Sequence, residues 1–540
     1  YILVIDNLKF WSTLIDTLDM SLLTHVLFVA AFFSLLFTLT LFLLLFVSHR
    51  RLLKPVIMVT LIMAAVVSYF MDSYGTVISV SMLHNIAETD YSEATDLLSF
   101  GMFLHVFVYG VLPAMLVAWV RVKYKSLKRE LVSRLALASV CLVVSATSVF
   151  ASYKDFTYVV REHREMRLFI NPLYPLTSVY KFVKGSMASD DHSLKAVFSD
   201  AVHSSNSKAK KTVLVMVVGE TARASEFHLN GYQRNTTPLL EQSPANLINF
   251  NHAYSCATAT AESLPCMFSL LDHDHFSKDV ARHSENLLDA LAHAGVDVLW
   301  KENDGSCKGV CQRVETQIIS IDADALLCND EECFDEILLS GLDKRLDAIN
   351  KDSVIVLHQK GSHGPAYYKR YPDKFEAFEP ACKTKAVQDC SQQEITNAYD
   401  NTILYTDYVL SRVISLLDKK SDKLDAAMLY MSDHGESLGE NGMYLHGLPY
   451  FMAPDEQIHV PLVMWLSEGF SNSKNIDIAC LQEHGHADNY SHDNLLHTVL
   501  GIMDINTSQY DVRQNILSAC SVSAALPKVV KLPGKSEHKT

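Results

Sequence analysis

Residues 212–221 read TVLVMVVGET, a mostly apolar run that turns at once into glycine, an acid and threonine. Two later stretches repeat this pattern, AAMLYMSDHGE (426–436) and DSVIVLHQKGSHG (352–364). Short apolar runs of this kind are typical of strands that are buried on both faces of a parallel sheet. Because helical stretches separate the runs, the sequence predicts an α/β domain with a mostly parallel central sheet.

The polar residues after these strands predict a metal centre. Ligands collect at the carboxyl ends of the strands in such a sheet. Glu220 follows the first run, and Asp433 and His434 follow the last. A lone acid after a strand is often only a helix cap, but an adjacent Asp and His are harder to explain in that way. Two carboxylates and one imidazole suit zinc, and one further oxygen would complete a tetrahedron.

A second stretch, SCATATAESLPC (255–266), offers that oxygen. It is rich in small and hydroxylated residues, and its candidate nucleophiles are Thr258, Thr260 and Ser263. A bound divalent cation lowers the pKa of an oxygen ligand, which makes a hydroxyl reactive near neutral pH. The alternative is a surface loop that a disulfide stabilises, and the residues alone leave both interpretations open.

The cysteines indicate an oxidising compartment. Of eleven in the chain, Cys141 lies in an apolar stretch and the other ten lie after residue 250. Eight of these form close pairs in the sequence, which suggests disulfides. No CxxC pair is present, so zinc binding by cysteine is disfavoured. The ten are Cys256, Cys266, Cys307, Cys311, Cys328, Cys333, Cys382, Cys390, Cys480 and Cys520.

Composition narrows the class of protein. A chain of 540 residues predicts two or more domains. Its formal charge of −15 argues against nucleic acid as a partner, since a phosphate-binding surface is basic. The mean hydropathy of +0.11 is high for a soluble protein, and the apolar excess lies before about residue 153.

Four apolar segments in this region are long enough to cross a bilayer. The predicted spans are 21–47, 55–71, 102–120 and 135–153. The loops after the first and third spans are rich in Lys and Arg. The loop between the second and third spans has several acidic residues and contains no Lys or Arg. By the positive-inside rule the basic loops are cytoplasmic, so residues after 153 lie outside the cytoplasm. The cysteines indicate the same side independently.

These patterns divide the chain into three parts. Residues 1–153 are predicted to be a transmembrane domain, 154–211 an interfacial helix and linker, and 212–540 an α/β catalytic domain. Within the middle part, 171–183 is amphipathic enough to lie at the membrane surface, and 184–211 has linker composition. The apolar start YILV predicts a further span before Tyr1, with the N-terminus in the cytoplasm.

Four ordered motifs resemble one family. VVGETAR (217–223), SCATATAESLPCMFS (255–269), HGPAYYKRY (363–371) and SDHGESLGENGMYLHG (432–447) are similar to the phosphoethanolamine transferases of Gram-negative inner membranes, above all to the lipid A enzymes associated with polymyxin resistance. The resemblance implies an alkaline phosphatase- or sulfatase-like fold, a zinc ion and a covalent intermediate on threonine. It places the nucleophile on Thr260.

The resemblance also assigns roles to other residues. It implies one zinc ion, with Glu220, Thr260, Asp433 and His434 as its ligands. A second zinc ion is an option. Around the substrate phosphate or that second ion it implies Lys308, His363 and His446. For the lipid donor it implies Asn85, Thr89 and Glu93, although three residues at this spacing could also form only the polar face of a short helix. Without the resemblance, the two histidines could be loop caps and Lys308 a solvated lysine.

Three smaller expectations accompany these roles. Ala257 stands where the family more often has glycine, which is tolerable unless the backbone there needs a positive φ. Cys480–Cys520 is expected as a fifth disulfide beside Cys256–Cys266, Cys307–Cys311, Cys328–Cys333 and Cys382–Cys390. The histidines within 483–492 are interpreted as loop or structural residues.

The resulting hypothesis is a monomeric inner-membrane enzyme whose catalytic domain lies in the periplasm. It would transfer phosphoethanolamine from phosphatidylethanolamine to a phosphate of lipid A through Thr260. One alternative is a family member with another acceptor, such as a core sugar, a glucan or a protein. Another is a membrane-bound phosphatase or sulfatase, although no C/S-x-P-x-R context surrounds Thr260. A non-enzymatic scaffold is disfavoured because all four predicted zinc ligands are present.

Overall fold

The computed structural model describes residues 1–17, 22–89, 91–124, 126–188, 193–204, 210–243 and 246–521. In this part of the chain, four helices are long and apolar enough to cross a membrane: Val26–Val47, Leu53–Tyr74, Phe100–Trp119 and Lys128–Ala151. They lie where the sequence predicts spans. The third changes from α-helix (Phe100–His105) to π-helix (Val106–Val111) and back to α-helix (Leu112–Trp119).

Shorter helices flank the spans. They lie at Ile2–Ile5, Leu8–Thr17, Val80–Glu88, Tyr91–Asp96, Tyr153–Glu162 and Leu173–Ala188, with a 3₁₀ helix at Arg164–Phe169. The first span is part of the helix Leu22–Val47, and the last span is part of the helix Leu127–Ala151.

Gly110 explains the close approach of the second and third spans. A β-carbon at this position would lie 3.0 Å from the Ala65 β-carbon and 3.1 Å from the Ile62 α-carbon. Small residues at such crossings let two helix backbones come into van der Waals contact, which stabilises helix pairs in lipid.

The part of the chain from residue 193 onward, which the sequence predicts to be catalytic and which is called the catalytic region below, is built on an eight-stranded sheet; the helices before it are called the membrane region. Its strands are β1 (Lys211–Gly219), β2 (Leu247–Tyr254), β3 (Asp297–Glu302), β4 (Glu315–Ile318), β5 (Ser353–His358), β6 (Leu424–Ser432), β7 (His459–Leu466) and β8 (Tyr490–Ser491). Their spatial order is β8-β2-β7-β6-β1-β5-β3-β4. Every neighbouring pair is parallel except those made by β7, which runs antiparallel to β2 and β6. The prediction of a mostly parallel sheet is confirmed.

Helices cover both faces of this sheet. They lie at Pro238–Glu241, Thr260–Met267, Lys278–Arg282, Leu287–His293, Leu342–Asp347, Gln392–Asp418, Asp455–Ile458, Glu468–Lys474, Ile478–Ala487 and Asp493–Ile502. Alternate residues of β1 enter opposite cores: Leu214, Met216 and Val218 pack on one face, and Val213 and Val215 on the other. Burial on both faces explains the unbroken apolar sequence of the strand.

Part of the predicted linker belongs to the catalytic region. The helix Leu173–Ala188 extends beyond the predicted interfacial segment, and Phe198 is fully buried in one of the two cores. Val202–His203 pairs with Ile505–Asn506 in a two-stranded sheet. Although most neighbours of Phe198 are polar, its apolar side chain is buried in the core. Residues 193–204 therefore pack against the catalytic region and are not a free linker.

The catalytic region rests directly on the membrane region. Tyr69 and Tyr74, from the outer end of the second span, pack in the core that covers one face of the sheet. In return, Leu448 of the catalytic region packs among apolar side chains of the membrane region. This contact brings the loop between the second and third spans close to the carboxyl ends of the strands.

Candidate metal centre and substrate site

Strand register brings the three predicted ligands together. Gly219, the last residue of β1, lies opposite Ser432, the last residue of β6. The next residues on each strand are therefore neighbours, and the Asp433 backbone N–H donates to the Gly219 carbonyl at 2.9 Å. Glu220, Asp433 and His434 are all fully buried, and one ligand atom from each lies within 4.8 Å of the others.

Thr260 places its hydroxyl in this group. It is the first residue of the helix Thr260–Met267, and its Oγ1 lies 3.1 Å from both carboxylate oxygens of Glu220. The same oxygen is 3.2 Å from Nε2 of His434. One threonine oxygen, one carboxylate and one imidazole therefore meet at a single point.

The other two candidate hydroxyls have structural roles. Thr258 donates to the Leu448 carbonyl at 2.6 Å, and Ser263 donates to the Asp433 carbonyl. Each of these bonds ties the loop to a neighbouring segment. Of the three hydroxyls, Thr260 is the one at the ligand cluster.

Hydrogen bonds fix the tautomer of His434. Its Nδ1 lies 2.9 Å from the Gly435 carbonyl, which can only accept, so Nδ1 carries the proton. Nε2 is then a lone-pair donor that points toward Glu220 Oε1, 3.3 Å away. A carbonyl behind the ring is the arrangement that orients metal-binding histidines.

Asp433 supplies an oxygen that protein groups leave unused. Its Oδ1 accepts from the backbone N–H of His434 at 2.7 Å, whereas Oδ2 is buried without a hydrogen-bond partner among the described residues. Burial and the nearby Glu220 carboxylate raise the pKa of Asp433 to about 8. A divalent cation would satisfy the orphaned oxygen and offset the buried charge, so the donor set fits zinc.

Two further histidines lie beside this cluster. The ring of His446 is 4.5 Å from that of His434 and 5.6 Å from that of His363, between centroids. Nδ1 of His446 is 2.7 Å from Glu436, whose other oxygen accepts from Tyr367 at 2.8 Å. The carboxylate thus orients the His446 ring.

A cavity joins these histidines to the membrane region. His363 and His446 line it from the catalytic side, and Asn85 and Thr89 line it from the loop between the second and third spans. Most of the remaining wall is apolar, including Phe70 and Met82 of the membrane region. The side chain of Glu93, the third residue implied for the lipid donor, lies outside the described residues.

Lys308 lies at the boundary of the two regions. Its Nζ is 3.3 Å from the backbone carbonyl of Glu88, and its side chain is buried. Its φ of 47° is left-handed, a conformation that costs a non-glycine residue on the order of 1 kcal/mol or more. The short Cys307–Cys311 disulfide loop holds it there.

Five disulfides hold the catalytic region: Cys256–Cys266, Cys307–Cys311, Cys328–Cys333, Cys382–Cys390 and Cys480–Cys520. The first closes the loop that carries Thr260. Ala257 in that loop is not among the positive-φ residues, so alanine fits there without strain.

Sequence reasoning missed several residues near the centre. His358 and Asp304 are buried close to Glu220, and Glu302 accepts from the His358 ring. A signal was present, because His358 is the last residue of β5 and Glu302 the last of β3. The strand-end argument that identified Glu220 applies equally to both.

His492 belongs to the histidines interpreted above as loop or structural residues, and its role is structural: it holds the loop that carries Thr260. Its Nε2 lies 3.0 Å from the Ser432 carbonyl, so Nε2 donates and Nδ1 is free to accept. Nδ1 accepts from the Cys256 backbone N–H at 3.1 Å. The neutral ring therefore links the end of β6 to the disulfide that brackets Thr260.

Comparisons with known proteins agree with this architecture. Residues 212–505 match the sulfatase family, and residues 35–187 match the family described as phosphoethanolamine transferase EptA/EptB. The chain is 37% identical to phosphoethanolamine transferase EptA of Escherichia coli K12 over 96% of this chain and 95% of that one. It is 41% identical to phosphatidylethanolamine transferase Mcr-1 of E. coli over 77% of this chain and 79% of the relative.

A solved structure has the same fold over nearly the whole chain. The integral membrane lipooligosaccharide phosphoethanolamine transferase A of Neisseria meningitidis is 36% identical, with a TM-score of 0.92 and 96% of each chain covered. Identity above 30% over this length, together with a buried threonine and metal-type donors at the strand ends, decides the family. The chain belongs to the membrane-bound lipid A phosphoethanolamine transferases, enzymes with a sulfatase-like catalytic domain.

Proposed function

We propose that this enzyme transfers phosphoethanolamine from phosphatidylethanolamine to a phosphate of lipid A, with Thr260 as the nucleophile. The observation that carries the proposal is the position of the Thr260 hydroxyl, 3.1 Å from Glu220 and 3.2 Å from His434. Such a hydroxyl lies beside groups that can take its proton and bind a metal. The names of the relatives support the transferred group.

Glu220, Asp433 and His434 are the residues that would hold a zinc ion, with Thr260 Oγ1 as the fourth donor. Zinc, when bound, lowers the pKa of the hydroxyl and offsets negative charge on the phosphoryl oxygens. The orphaned Oδ2 of Asp433 and the lone pair of His434 Nε2 support this assignment.

The first step exchanges one phosphate ester for another. Thr260 Oγ1 forms a bond to the donor phosphorus, and the bond between phosphorus and the glycerol oxygen breaks. His446, held by Glu436 at 2.7 Å, is placed to protonate the departing diacylglycerol oxygen. The enzyme then carries phosphoethanolamine on Thr260.

The second step reverses the roles. A phosphate oxygen of lipid A gives its proton to His446 and attacks the phosphorus, and the bond to Thr260 Oγ1 breaks. The threonine then regains from Glu220 the proton that it gave up along their hydrogen bond in the first step. Lys308 and His363 are proposed to neutralise charge on the phosphoryl oxygens in both steps. No water enters the balanced reaction, which separates the transferase from a hydrolase of the same fold.

The apolar cavity supports a lipid donor. Asn85 and Thr89 would contact the headgroup at its membrane side, and the span residues beside them suit acyl chains. Together with the four apolar helices and the basic cytoplasmic loops, this favours the inner membrane of a Gram-negative cell with the catalytic domain in the periplasm. We propose a monomer, because both substrate sides of the centre come from one chain.

Mass spectrometry of lipid A from cells that express the full chain tests the proposal. Wild type and Thr260→Ser, which keeps a hydroxyl, are expected to add phosphoethanolamine, although the serine variant reacts more slowly. Thr260→Ala is expected to add none while reaching the same membrane level. A mass gain that persists in Thr260→Ala would refute the nucleophile.

The acceptor is tested separately. Purified full-length protein is incubated with phosphatidylethanolamine, with and without lipid A, and diacylglycerol is measured. Release that depends on lipid A supports the transferase. Release with unchanged lipid A and free phosphoethanolamine would identify a hydrolase, and a core sugar, glucan or protein that gains the group would identify another acceptor.

A further inference from the structure

A second group of metal-type ligands lies behind the Thr260 centre. Glu220, Asp304 and His358 each place one ligand atom within 4.8 Å of the other two. Their exposures are 0%, 6% and 0%, so water does not solvate these groups. The cluster differs from the position beside His363 and His446, with which it shares no residue.

His358 is oriented as a metal ligand would be. Its Nδ1 lies 2.8 and 3.0 Å from the two oxygens of Glu302. A carboxylate on one ring nitrogen fixes the tautomer and leaves the other nitrogen as the donor, a common arrangement behind metal-binding histidines. Nε2 is buried and has no hydrogen-bond partner in the described part of the chain.

Glu302 is itself firmly placed. Its carboxylate accepts from the indole N–H of Trp300 at 2.9 Å and from the backbone N–H of Asp304 at 2.7 Å. The second bond also fixes the start of the turn that carries Asp304. One carboxylate thus orients both the histidine and the aspartate of the cluster.

The charge of the cluster calls for a cation. Glu220 and Asp304 are two carboxylates in one buried space, and the Lys360 ammonium, 3.7 Å from Asp304, forms an ion pair with only one of them. Both carboxylates are buried, so their charges are not screened by water. A divalent cation between the oxygens would offset both charges.

The rival explanation is a protonated His358. If no cation were bound, the ring could carry one proton on Nδ1, facing Glu302, and a second on Nε2. The Nε2 proton would then be a buried donor without an acceptor, which is costly. Ligands on a tetrahedral ion with bonds of about 2.1 Å lie roughly 3.4 Å apart, a spacing compatible with this cluster.

We propose that Glu220, Asp304 and His358 bind a second divalent cation, with Glu220 bridging it to the ion at Thr260. The imidazole favours zinc over magnesium or calcium, which prefer oxygen ligands alone. Such an ion would fix the Glu220 carboxylate on the side away from Thr260. It would also anchor Asp304, which precedes the Cys307–Cys311 loop. The proposal goes beyond phosphoethanolamine transfer and does not depend on it.

Anomalous diffraction at the zinc edge tests the site directly. The full chain is purified in detergent, stripped of metal, supplied with three equivalents of Zn²⁺ and crystallised. We expect one anomalous peak at Thr260 and a second between Glu220, Asp304 and His358. A full peak at Thr260 with no peak at the second position would overturn the proposal.

Variants separate the site from the Thr260 centre. Asp304→Asn, which keeps size and backbone contacts, and His358→Gln are each expected to lose the second peak and about one zinc equivalent by mass spectrometry of the metal content. Asp425→Asn removes a buried carboxylate at the opposite end of β6 and is expected to change nothing. Retention of the second peak in both cluster variants would refute the ligand assignment, whatever the effect on lipid A.

Discussion

The two sides of the candidate site are built in different ways. On the metal side, Glu220, Asp433 and His434 follow adjacent parallel strands and are fully buried. On the membrane side, Asn85 and Thr89 follow no strand, and they line a mostly apolar cavity with histidines that are far away in the sequence. The sheet positions the first set, whereas contacts between two regions of the chain position the second.

Buried ion pairs make that second connection. Asp96, in the loop between the second and third spans, lies 2.9 Å from Arg370, 3.3 Å from Lys369 and 2.8 Å from Lys385. Burial raises the pKa of Asp96, but the three cations outweigh it and the net shift is downward. Arg370 also donates to the His363 carbonyl at 2.7 Å, so the membrane loop is linked to the substrate side.

We infer from this difference that the proposed metal binding and donor recognition can be separated by mutation. A change on the metal side should remove chemistry for every substrate. A change at the Asp96 contact should act mainly on membrane-embedded donors. The following predictions test this division from the largest expected effect to the smallest.

Asp433→Asn should cause the largest loss. It weakens a ligand whose Oδ2 has no hydrogen-bond partner among the described residues, and a catalytic metal supplies several kcal/mol of transition-state stabilisation. We expect turnover to fall on the order of 1,000-fold and zinc content to fall by about one equivalent. Diacylglycerol release and metal analysis of purified full-length protein measure these effects. Unchanged zinc in the variant would break the metal assignment.

His446→Gln should come next. Loss of a general acid or of a charge near the phosphate typically costs about 100-fold or more. The effect should be equal for membrane-embedded and for short-chain, water-soluble phosphatidylethanolamine, since the residue acts on the phosphorus. His484→Gln, an exposed histidine paired with Asp488, is the matched control. Turnover of the His446 variant within threefold of the control would exclude this role.

Asp96→Asn should distinguish the two donors. Arg370 keeps its bond to Glu332, so the site persists but the membrane loop is held less firmly. We expect kcat/KM for the membrane-embedded donor to fall about tenfold, the equivalent of one charge-assisted hydrogen bond, with a smaller effect on the short-chain donor. Equal losses for both donors would contradict the division.

Glu331→Gln is the control for Asp96. Glu331 pairs with the same Lys369 but is largely exposed, and exposed ion pairs contribute little. We expect its kinetics to match those of wild type for both donors. A loss as large as that of Asp96→Asn would mean that overall charge, rather than the buried contact, is responsible.

Thr258→Val should have the smallest effect. It removes the 2.6 Å bond to the Leu448 carbonyl, which is worth about 1 kcal/mol, and leaves Thr260 in place. The expected result is a drop in Tm of about 2 °C with turnover within tenfold of wild type. Thr396→Val, in an exposed helix position, is the control. Complete inactivation without loss of stability would point to Thr258 as the nucleophile instead.

The sequence predicts that Glu220, Asp433 and His434 lie together because the information for this is local. A strand, its end and its ligand are consecutive residues, so Glu220, Asp433 and His434 can be read from the pattern. His358 also ends β5, but the run of polar residues that marks this strand end in the sequence lies further on, at 361–364. The same argument at each strand end would have found it.

The membrane side could not be read in this way. The contact between Asp96 and Arg370 joins residues 274 positions apart, and neither has a distinctive pattern around it. The packing of Phe198 in the core is equally hidden, because a single apolar residue in a polar stretch does not distinguish a linker from a packed segment. Such contacts depend on how two distant parts of the chain pack against each other. The hydrophobic periodicity of the sequence carries no information about that packing.

The cavity shared by both regions has a consequence for inhibitor design. An inhibitor that binds only at the proposed zinc ligands contacts a set of donor groups that other metalloenzymes also have. A molecule that fills the cavity between Met82 and His446 contacts walls that the catalytic region and the membrane region form together. Selectivity against other metalloenzymes should therefore be sought where the catalytic and membrane regions meet.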